Sequence, residues 1–346
     1  MNILHRNTGI EKPHQDMLLS ICLMMVHLKI LIILTLIKPS MKNVLLISFV
    51  MLFSFVANTQ ETPIVFKVMA WNILHGANDI ENGPENAVKI IKEINPDVIL
   101  MVETYGSGKM IANSLGYNFH LIAQEGTALD DKSVNLSIFS KFPFEERIDT
   151  KFPFYLGGRA ILIKGQKINL FSNWFHYLPW NDEPEKMGKT VEELLEWERT
   201  ETKYKMIQKV LPTIKKYALQ TDSIPMIFGG DMNSISHLDW GEDTKEIHEN
   251  LVVPWYSTKV LEELQLIDSY REVNTNPITH PGITWNSKAL KDEHRIDYIF
   301  YKSPKLKAIK SASYMAFLNE PFSINGKQIN YPSDHGFVVT TFELKE

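Results

Sequence analysis

The chain has 346 residues, of which 44% are hydrophobic, 11% aromatic and 22% charged, a composition that supports a large core without disulfides. The single cysteine, Cys22, lies in the N-terminal apolar region, so disulfides, thiolate metal sites and a cysteine nucleophile are excluded from the rest of the chain. The chain has 36 basic and 41 acidic residues, of which five basic and two acidic residues lie in residues 1–60. Residues 61–346 therefore carry a net charge of −8, which disfavours a long nucleic acid as substrate.

The first 60 residues predict a targeting region. From Met41 the sequence has the form of a secretory signal peptide, with an apolar run over residues 44–56 and a small and polar ending. In this interpretation translation begins at Met41, residues 1–40 belong to an over-extended start, and the product is secreted or periplasmic. The alternative is an anchored protein, because the apolar run over residues 17–37 is long enough to cross a bilayer.

Apolar periodicity after residue 60 predicts strands that alternate with short helices. The predicted strands cover residues 64–73, 98–102, 136–140, 160–164, 168–174, 224–228, 296–301 and 336–343, and the short helices cover 85–94, 109–115 and 261–264. A longer helical segment starts at a capping box of Thr190 and Glu193, and Pro212 is expected to kink or divide it. This order predicts one α/β domain over residues 61–346 with a mixed sheet at its core.

The stretch over residues 224–234 reads IPMIFGGDMNS and predicts a buried strand that stops at two glycines. Gly229 and Gly230 permit positive φ and leave room for another group to come close to the backbone. Asp231 and Asn233 follow directly. A carboxylate and an amide in this position suit a cleft that handles a metal ion or a polarised water, or else a turn in which both bond their own backbone.

Polar side chains end several other apolar runs, and ligands of layered α/β proteins lie outside such strand ends. A glutamate such as Glu103 offers hard oxygen ligands, which suit Mg²⁺ or Mn²⁺ better than zinc. An aspartate bonded to a histidine fixes its tautomer and supports its cationic form. Metal-assisted hydrolysis is therefore expected if these residues converge: Asn72, Glu103, His176, Asp231, Asn233, Asp297, Asp334 and His335.

Between residues 66 and 342 the sequence resembles the endonuclease/exonuclease/phosphatase superfamily, with its motifs in the family's order. They are Trp71-Asn72-Ile73, Pro96-Asp97-Val98-Ile99 leading to Glu103, Gly230-Asp231-Met232-Asn233, Arg295-Ile296-Asp297-Tyr298 and Ser333-Asp334-His335. The resemblance implies a four-layer α/β sandwich, with two packed mixed β-sheets flanked by helices, and cleavage of phosphate esters with Mg²⁺ or Mn²⁺. Residues 236–240 and 281–285 are similar to a secreted bacterial branch of the family.

The resemblance also implies a role for each matching residue. Glu103 is expected to be the principal metal ligand, with Asn72 beside it and Asp334 as a further acid near the metal. Asp231 is expected to orient or deprotonate the attacking water, and Asn233 to help hold the phosphate.

Two histidines complete the implied site. His335 is expected to bind phosphate or act as a base, with Asp297 as its carboxylate partner. His176 matches the family's second histidine, the proton donor to the leaving oxygen. Phe175 precedes it where the family usually has a small residue or Asn, which makes this match looser.

Arg159 and Trp285 are the remaining candidates for contact with the substrate. Arg159 either meets a substrate phosphate or is a surface charge, and Trp285 belongs to a set of aromatic residues that either line the cleft or pack in the core. The favoured function is a secreted, monomeric phosphodiesterase or phosphatase acting on a small or lipid-linked phosphate ester. The alternatives are an extracellular nuclease on DNA or RNA and a binding module that has lost catalysis.

Overall fold

The structure is a computed structural model that describes residues 63–285 and 293–345. The signal peptide and the alternative anchor predicted for residues 1–60 lie outside the described residues. From Pro63 onward the chain forms one compact unit. Within these two ranges, no helix has the length and the apolarity that crossing a membrane requires.

Strands make up most of the domain. In chain order they are β1 Ile64–Asn72, β2 Val98–Val102, β3 Asn118–Leu121, β4 Ser137–Ser140, β5 Phe144–Ile148, β6 Leu156–Ile163, β7 Gln166–Trp174, β8 Met226–Asp231, β9 Ile267–Asp268, β10 Asp297–Lys302, β11 Leu306–Tyr314, β12 Pro321–Ile324, β13 Lys327–Asn330 and β14 Phe337–Leu344. The helices are α1 Gly83–Ile94, α2 Gly108–Leu115, α3 Val191–Glu198, α4 Thr202–Ala218, α5 Tyr256–Glu263 and α6 Ser269–Val273, with short helical turns at Leu74–Ala77, Pro184–Met187 and Glu242–Ile247.

Two six-stranded sheets each contain one central parallel pair. The first has the order β11-β14-β1-β2-β4-β3 and the second the order β5-β6-β7-β8-β10-β9, while β12 and β13 form a separate hairpin. The parallel pairs are β1 with β2 and β7 with β8; the other neighbours run antiparallel. Because the carboxyl ends of parallel strands meet at one edge, the residues that follow these four strands are brought together in pairs.

The buried side chains of β2 show the layering. Val98, Leu100 and Val102 pack between the two sheets, whereas Ile99 and Met101 face the cluster under α1 and α2. On the far side of the second sheet, a stripe of α4 packs at helical spacing, made of Met206, Ile207, Val210 and Ile214. The layers therefore run helix, sheet, sheet, helix, and the predicted four-layer mixed α/β sandwich is confirmed.

The long helical segment divides at a different place from the one predicted. The capping box of Thr190 and Glu193 starts α3 as expected. The chain then breaks between α3 and α4, and α4 continues through Pro212 to its end. The buried stripe of α4 lies on both sides of the proline, and its packing outweighs the lost backbone hydrogen bond.

The two glycines of the central stretch serve the protein's own sheet. Gly230 has a φ of +145°, and a Cβ there would lie 2.1 Å from the carbonyl oxygen of Asn173 on β7. A Cβ on Gly229 would lie 2.8 Å from the carbonyl oxygen of Tyr298 on β10. The predicted positive φ is present at Gly230, and the backbone of a flanking strand lies close to each glycine.

His120 on β3 is expected to make the fold sensitive to acid. Burial, together with Arg159 and Arg147, lowers the pKa of His120 to about 4. As the pH falls, His120 takes up a proton in the unfolded chain before it does so in the folded chain, because the pKa of an unperturbed histidine is about 6.5. The stability contribution is therefore complete above about pH 6.5 and is lost as the pH falls towards 4, by up to about 3 kcal/mol.

Urea denaturation at pH 7.5 and pH 4.5 measures this contribution. His120→Gln is expected to show a smaller loss of unfolding free energy between these two pH values than the parent, whereas His280→Gln, at an exposed position, is expected to match the parent. An equal loss in the parent and in His120→Gln would refute this explanation.

Candidate active site

A cleft of about 330 Å³ opens where the strand ends of the two sheets meet. The predicted site residues Glu103, Asp231, Asn233, Trp285, Asp334 and His335 all line it, along with Leu74, Trp174, Tyr177 and Trp180. Asn72 and Asp297 lie directly behind this lining and hydrogen-bond to it. Side chains far apart in the sequence thus converge as predicted.

Asn72, at the end of β1, links the two halves of the cleft. Its Nδ2 lies 3.2 Å from Oε1 of Glu103 and 3.1 Å from Oδ2 of Asp231, and donates to both. Its Oδ1 accepts the backbone N–H of Leu74 at 3.0 Å. Since that N–H can only donate, the amide nitrogen must face the carboxylates. Asn72 therefore orients the acids through Nδ2, and its role as a metal ligand stays a prediction, since Oδ1 keeps a second lone pair.

Glu103 follows β2 with a φ of +55°, an unusual backbone conformation for a glutamate. Its N–H donates to Oδ1 of Asn135 at 3.1 Å, which fixes this conformation. Its Oε2 accepts the backbone N–H of His75 at 3.1 Å. The carboxylate is thus aimed into the cleft by main-chain and amide contacts from two loops.

Asp334 lies in the loop before β14 and lines the same cleft as Glu103. Burial raises the pKa of Asp334, and the negative charge of Glu103 adds to this effect. Its buried Oδ1 has no hydrogen-bond partner among the residues that the structure describes. Two neighbouring carboxylates with an unpartnered buried oxygen form a donor set that fits a hard divalent cation.

Asp231 ends β8 and is 1% exposed. Its Oδ1 accepts the backbone N–H of Asn233 and its Oδ2 accepts Nδ2 of Asn233, both at 2.7 Å. Burial raises the pKa of Asp231 to about 7, although His335 acts in the opposite direction. A carboxyl group that titrates near neutrality in a cleft is suited to exchanging a proton with water.

Asn233 lines the cleft, and its side chain supports Asp231. Its Nδ2 donates one hydrogen to Oδ2 of Asp231 and the other to the carbonyl oxygen of Phe175 at 2.9 Å. Both donors of the side chain are therefore engaged. The contact between Asn233 and phosphate stays a prediction, and the structure adds this orienting role.

His335 and Asp297 form the predicted pair, with 3.0 Å between Nδ1 and Oδ2. Burial alone lowers the pKa of His335, but Asp297 and Asp231 outweigh it and raise the pKa to about 10. The imidazolium form therefore predominates at neutral pH. The Nε2 atom of His335 faces the cleft, 4.0 Å from Oδ2 of Asp231. From this position Nε2–H can donate to an oxyanion.

A second group of possible metal ligands exists in the cleft. Asp231, Asp297 and His335 each offer one ligand atom, and these atoms lie within 4.8 Å of one another. The imidazolium form of His335 has no free lone pair, however, and Asp297 lies behind the cleft lining, where its Oδ2 is engaged by Nδ1 of His335. The carboxylates of Glu103 and Asp334 are therefore the better place for a cation.

His176 stands beside the cleft rather than in its lining. Its ring lies 4.5 Å from the ring of Tyr177 and 5.7 Å from that of Trp174, and both of these residues line the cleft. Its Nδ1 contacts the Leu178 amide and the Thr202 hydroxyl. Sequence reasoning missed Thr202, because nothing in the start of a predicted helix marks a contact to a distant histidine.

The two predicted substrate contacts differ in position. The ring of Trp285 lies 4.6 Å from that of His335, inside the cleft. The guanidinium of Arg159 lies 5.5 Å from the ring of Phe144, among the edge strands. Leu156 is the first residue of β6, and Arg159 lies three residues further along the strand, a distance of about 10 Å from that strand end. The structure therefore does not bring Arg159 to the cleft, and its surface-charge alternative fits better.

A buried ionic cluster anchors the chain just before Asp297. Arg295 contacts Asp239 through Nε at 2.9 Å and Asp268 through Nη1 at 2.5 Å, and Arg271 also reaches Asp239. Arg295→Met is expected to lower the free energy of unfolding by about 3–5 kcal/mol, because it leaves the buried Asp268 carboxylate without a cation, while Asp239 keeps its contact with Arg271. Urea denaturation measures the loss, and Arg199→Met, at an exposed position, is the control. A loss no larger than that of the control would contradict the expectation.

Comparison with solved structures shows the same fold in other proteins. An endonuclease/exonuclease/phosphatase family protein from Bacteroides thetaiotaomicron superposes with a TM-score of 0.54 at 14% identity, over 82% of this chain and 99% of that one. D. rerio TDP2 complexed with single strand DNA product superposes with a TM-score of 0.51 at 14% identity, over 80% and 98%. At these identities the likeness concerns the fold alone.

Sequence comparison places the chain in a family. The Caenorhabditis elegans protein F14F9.5 is 28% identical over 286 residues, which cover 78% of this chain and 88% of that protein. The sequence profile of the endonuclease/exonuclease/phosphatase family matches residues 69–335, a span that begins in β1 and ends at His335. The chain therefore belongs to the endonuclease/exonuclease/phosphatase family.

Proposed function

We propose that the chain is a divalent-metal-dependent phosphoesterase that hydrolyses a phosphodiester or phosphomonoester of a small or lipid-linked substrate. Members of its family are metal-dependent hydrolases of phosphoester bonds. The observation that carries the proposal is the convergence in one cleft of an acidic pair, Glu103 and Asp334, with Asp231 and a cationic His335. This set offers ligands for a cation, a base for water and a donor for a phosphoryl oxygen.

Glu103 and Asp334 would hold the cation, Mg²⁺ or Mn²⁺, because both offer hard carboxylate oxygens. Such a cation, when bound, neutralises charge on the phosphoryl group and so lowers the barrier to attack. Asn72 keeps the Glu103 carboxylate turned towards this place through its Nδ2 contact. The left-handed backbone at Glu103 fixes the direction of the side chain.

Asp231 and His335 handle the proton and the phosphoryl charge. Asp231 accepts the proton of the attacking water, since its pKa near 7 lets it be ionised and still basic at neutral pH. His335 donates from Nε2 to a non-bridging oxygen as negative charge builds there. Asp297 holds the ring through Nδ1 and sustains its positive charge.

Aromatic side chains support a substrate with an organic group next to the phosphate. Trp174, Tyr177, Trp180 and Trp285 all line the cleft, and the side chain of Tyr177 is 50% exposed. Flat apolar faces of this kind pack against sugars, bases or lipid chains. A small or lipid-linked ester would bury such a group here.

A nuclease is the second candidate. TDP2 of D. rerio, which shares the fold, was solved with a single strand DNA product. The aromatic residues of the cleft could stack on bases, which is how many proteins bind single strands. The net charge of −8 after residue 60 favours the smaller substrate.

Hydrolysis assays with purified protein test both candidates. We expect Mg²⁺ or Mn²⁺ to drive hydrolysis of bis(p-nitrophenyl) phosphate and a chelator to stop it. A panel of phospholipid, sugar phosphate, inositol phosphate, single-stranded DNA and RNA then separates the candidates. Cleavage of nucleic acid at rates above all small esters would favour the nuclease, and no metal-dependent hydrolysis of any substrate would refute the proposal.

Export is part of the proposal and rests on the signal-peptide pattern from Met41. Expression of the full chain in a bacterial host, followed by N-terminal sequencing of the periplasmic fraction, measures it. We expect a product that begins near residue 60. An uncleaved chain in the membrane fraction would instead favour the anchored alternative.

A further inference from the structure

The contacts of His176 determine which of its nitrogens carries a proton. The backbone N–H of Leu178 donates to Nδ1 at 3.1 Å, and Oγ1 of Thr202 lies 2.7 Å from the same nitrogen. A backbone N–H can only donate, so Nδ1 must be the unprotonated nitrogen. The proton of the neutral ring therefore sits on Nε2, which has no hydrogen-bond partner within the described ranges.

Protonation of His176 to the imidazolium is opposed by its surroundings. A second proton on Nδ1 would point at the Leu178 N–H and break that hydrogen bond. Burial lowers the pKa of His176, and the charge of Lys203 adds to this, while Glu201 acts weakly in the other direction. An imidazole held neutral is a poor proton donor to a leaving oxygen, but its Nε2–H remains a good hydrogen-bond donor.

We propose that Thr202 and the Leu178 amide hold His176 as a neutral Nε2–H imidazole, which offers a substrate oxygen at the edge of the cleft a hydrogen bond rather than a proton. Thr202 is thus a positioning residue for the reaction. The proposal rests on the proposed function, and it replaces the proton-donor role that the family resemblance implied for His176.

The start of α4 is built to hold this arrangement. The backbone N–H of Lys203 donates to the carbonyl oxygen of Leu178 at 2.9 Å. The Lys203 ammonium, in a side chain that is almost fully buried, donates to the carbonyl oxygen of Asn233. Two consecutive residues of one helix therefore fix the histidine loop and the loop after Asp231 together, as a rigid support should.

Nitrogen–proton NMR of histidine-labelled protein reads the tautomer directly and needs no activity. The signal of His176 is identified by its loss in His176→Gln. We expect the Nε2–H tautomer at pH 7, and we expect the imidazolium to form only at a pH below the ordinary histidine range, because burial lowers the pKa of His176. An Nδ1–H tautomer or an imidazolium at pH 7 would overturn the inference even if the protein hydrolyses phosphodiesters.

Leaving-group dependence separates hydrogen bonding from proton donation. His176→Ala is expected to lower kcat/KM by about a hundredfold. This loss in kcat/KM should be the same for a p-nitrophenyl diester and for the corresponding phenyl diester. Phenolate is the more basic leaving group, so cleavage of the phenyl diester depends far more on a proton donor. A loss at least tenfold greater for the phenyl ester would show a proton donor and overturn the inference.

Thr202→Val and Thr202→Ser form the matched pair for the positioning role. Valine keeps the shape but lacks the hydroxyl, so kcat is expected to fall by up to about tenfold with KM nearly unchanged. Serine keeps the hydroxyl and is expected to behave like the parent. Equal kcat in Thr202→Val and the parent would overturn the role of Thr202, as would an equal loss in both variants.

Discussion

Glu103→Gln is expected to lower kcat/KM for a phosphodiester by about a thousandfold or more in Mg²⁺. The amide keeps the size of the side chain and can still accept from Asn72, although it loses the bond that Oε2 accepts from the His75 N–H, so the loss reports mainly the negative charge. A carboxylate that anchors a catalytic cation contributes several kcal/mol of transition-state stabilisation, which corresponds to such a factor.

The control for this variant is Glu85→Gln, an exposed position at the start of α1, which is expected to leave the rate unchanged. The thermal midpoint of Glu103→Gln should stay near that of the parent, because the left-handed backbone at this position is held by Asn135 and not by the carboxylate. A kcat/KM within tenfold of that of the parent would show that Glu103 does not hold a catalytic cation.

Asp297→Asn is expected to lower kcat by about a thousandfold to ten-thousandfold, with little change in KM. The asparagine keeps the shape but cannot sustain the positive charge of His335. Asp297 is the strongest of the carboxylates that raise the pKa of His335. Replacing the Asp297 carboxylate by a neutral amide therefore lowers the pKa of His335. As the pH rises, the activity that remains in Asp297→Asn should fall off at a lower pH than the activity of the parent.

A pH profile of kcat from pH 6 to pH 10 measures this shift, and Asp243→Asn at an exposed position is the control. In the parent the alkaline decline should lie at higher pH than in the variant. An alkaline limb that stays in place in Asp297→Asn would show that this pair does not set the charge of His335.

The strands that place the site could be predicted because they are buried on both faces. Continuous apolar runs mark β2 and β8, and the polar residues after them stand out for the same reason. The exposed edge strand β11 and the hairpin of β12 and β13 carry too few apolar residues for such a signal. The two-residue strand β9 exists only through its pairing with β10, as in Phe300 with Asp268.

The positions of the site residues followed from the sequence better than their roles did. Asn72 and Asn233 were expected to bind metal and phosphate, and the structure adds a role for each in orienting the Asp231 carboxylate. An amide has a donating and an accepting end, and only the neighbouring backbone decides which end faces the cleft. The two alternatives for Arg159 stayed open in the sequence, because the register of β6 is needed to measure its distance from the strand end.

The position of a bound cation tests the central claim most directly. Anomalous diffraction from crystals grown with Mn²⁺ locates it. We predict one peak in the cleft beside the carboxylates of Glu103 and Asp334, and no such peak in crystals of Glu103→Gln. A peak held only by Asp231, Asp297 and His335, or a cleft without any peak, would contradict it.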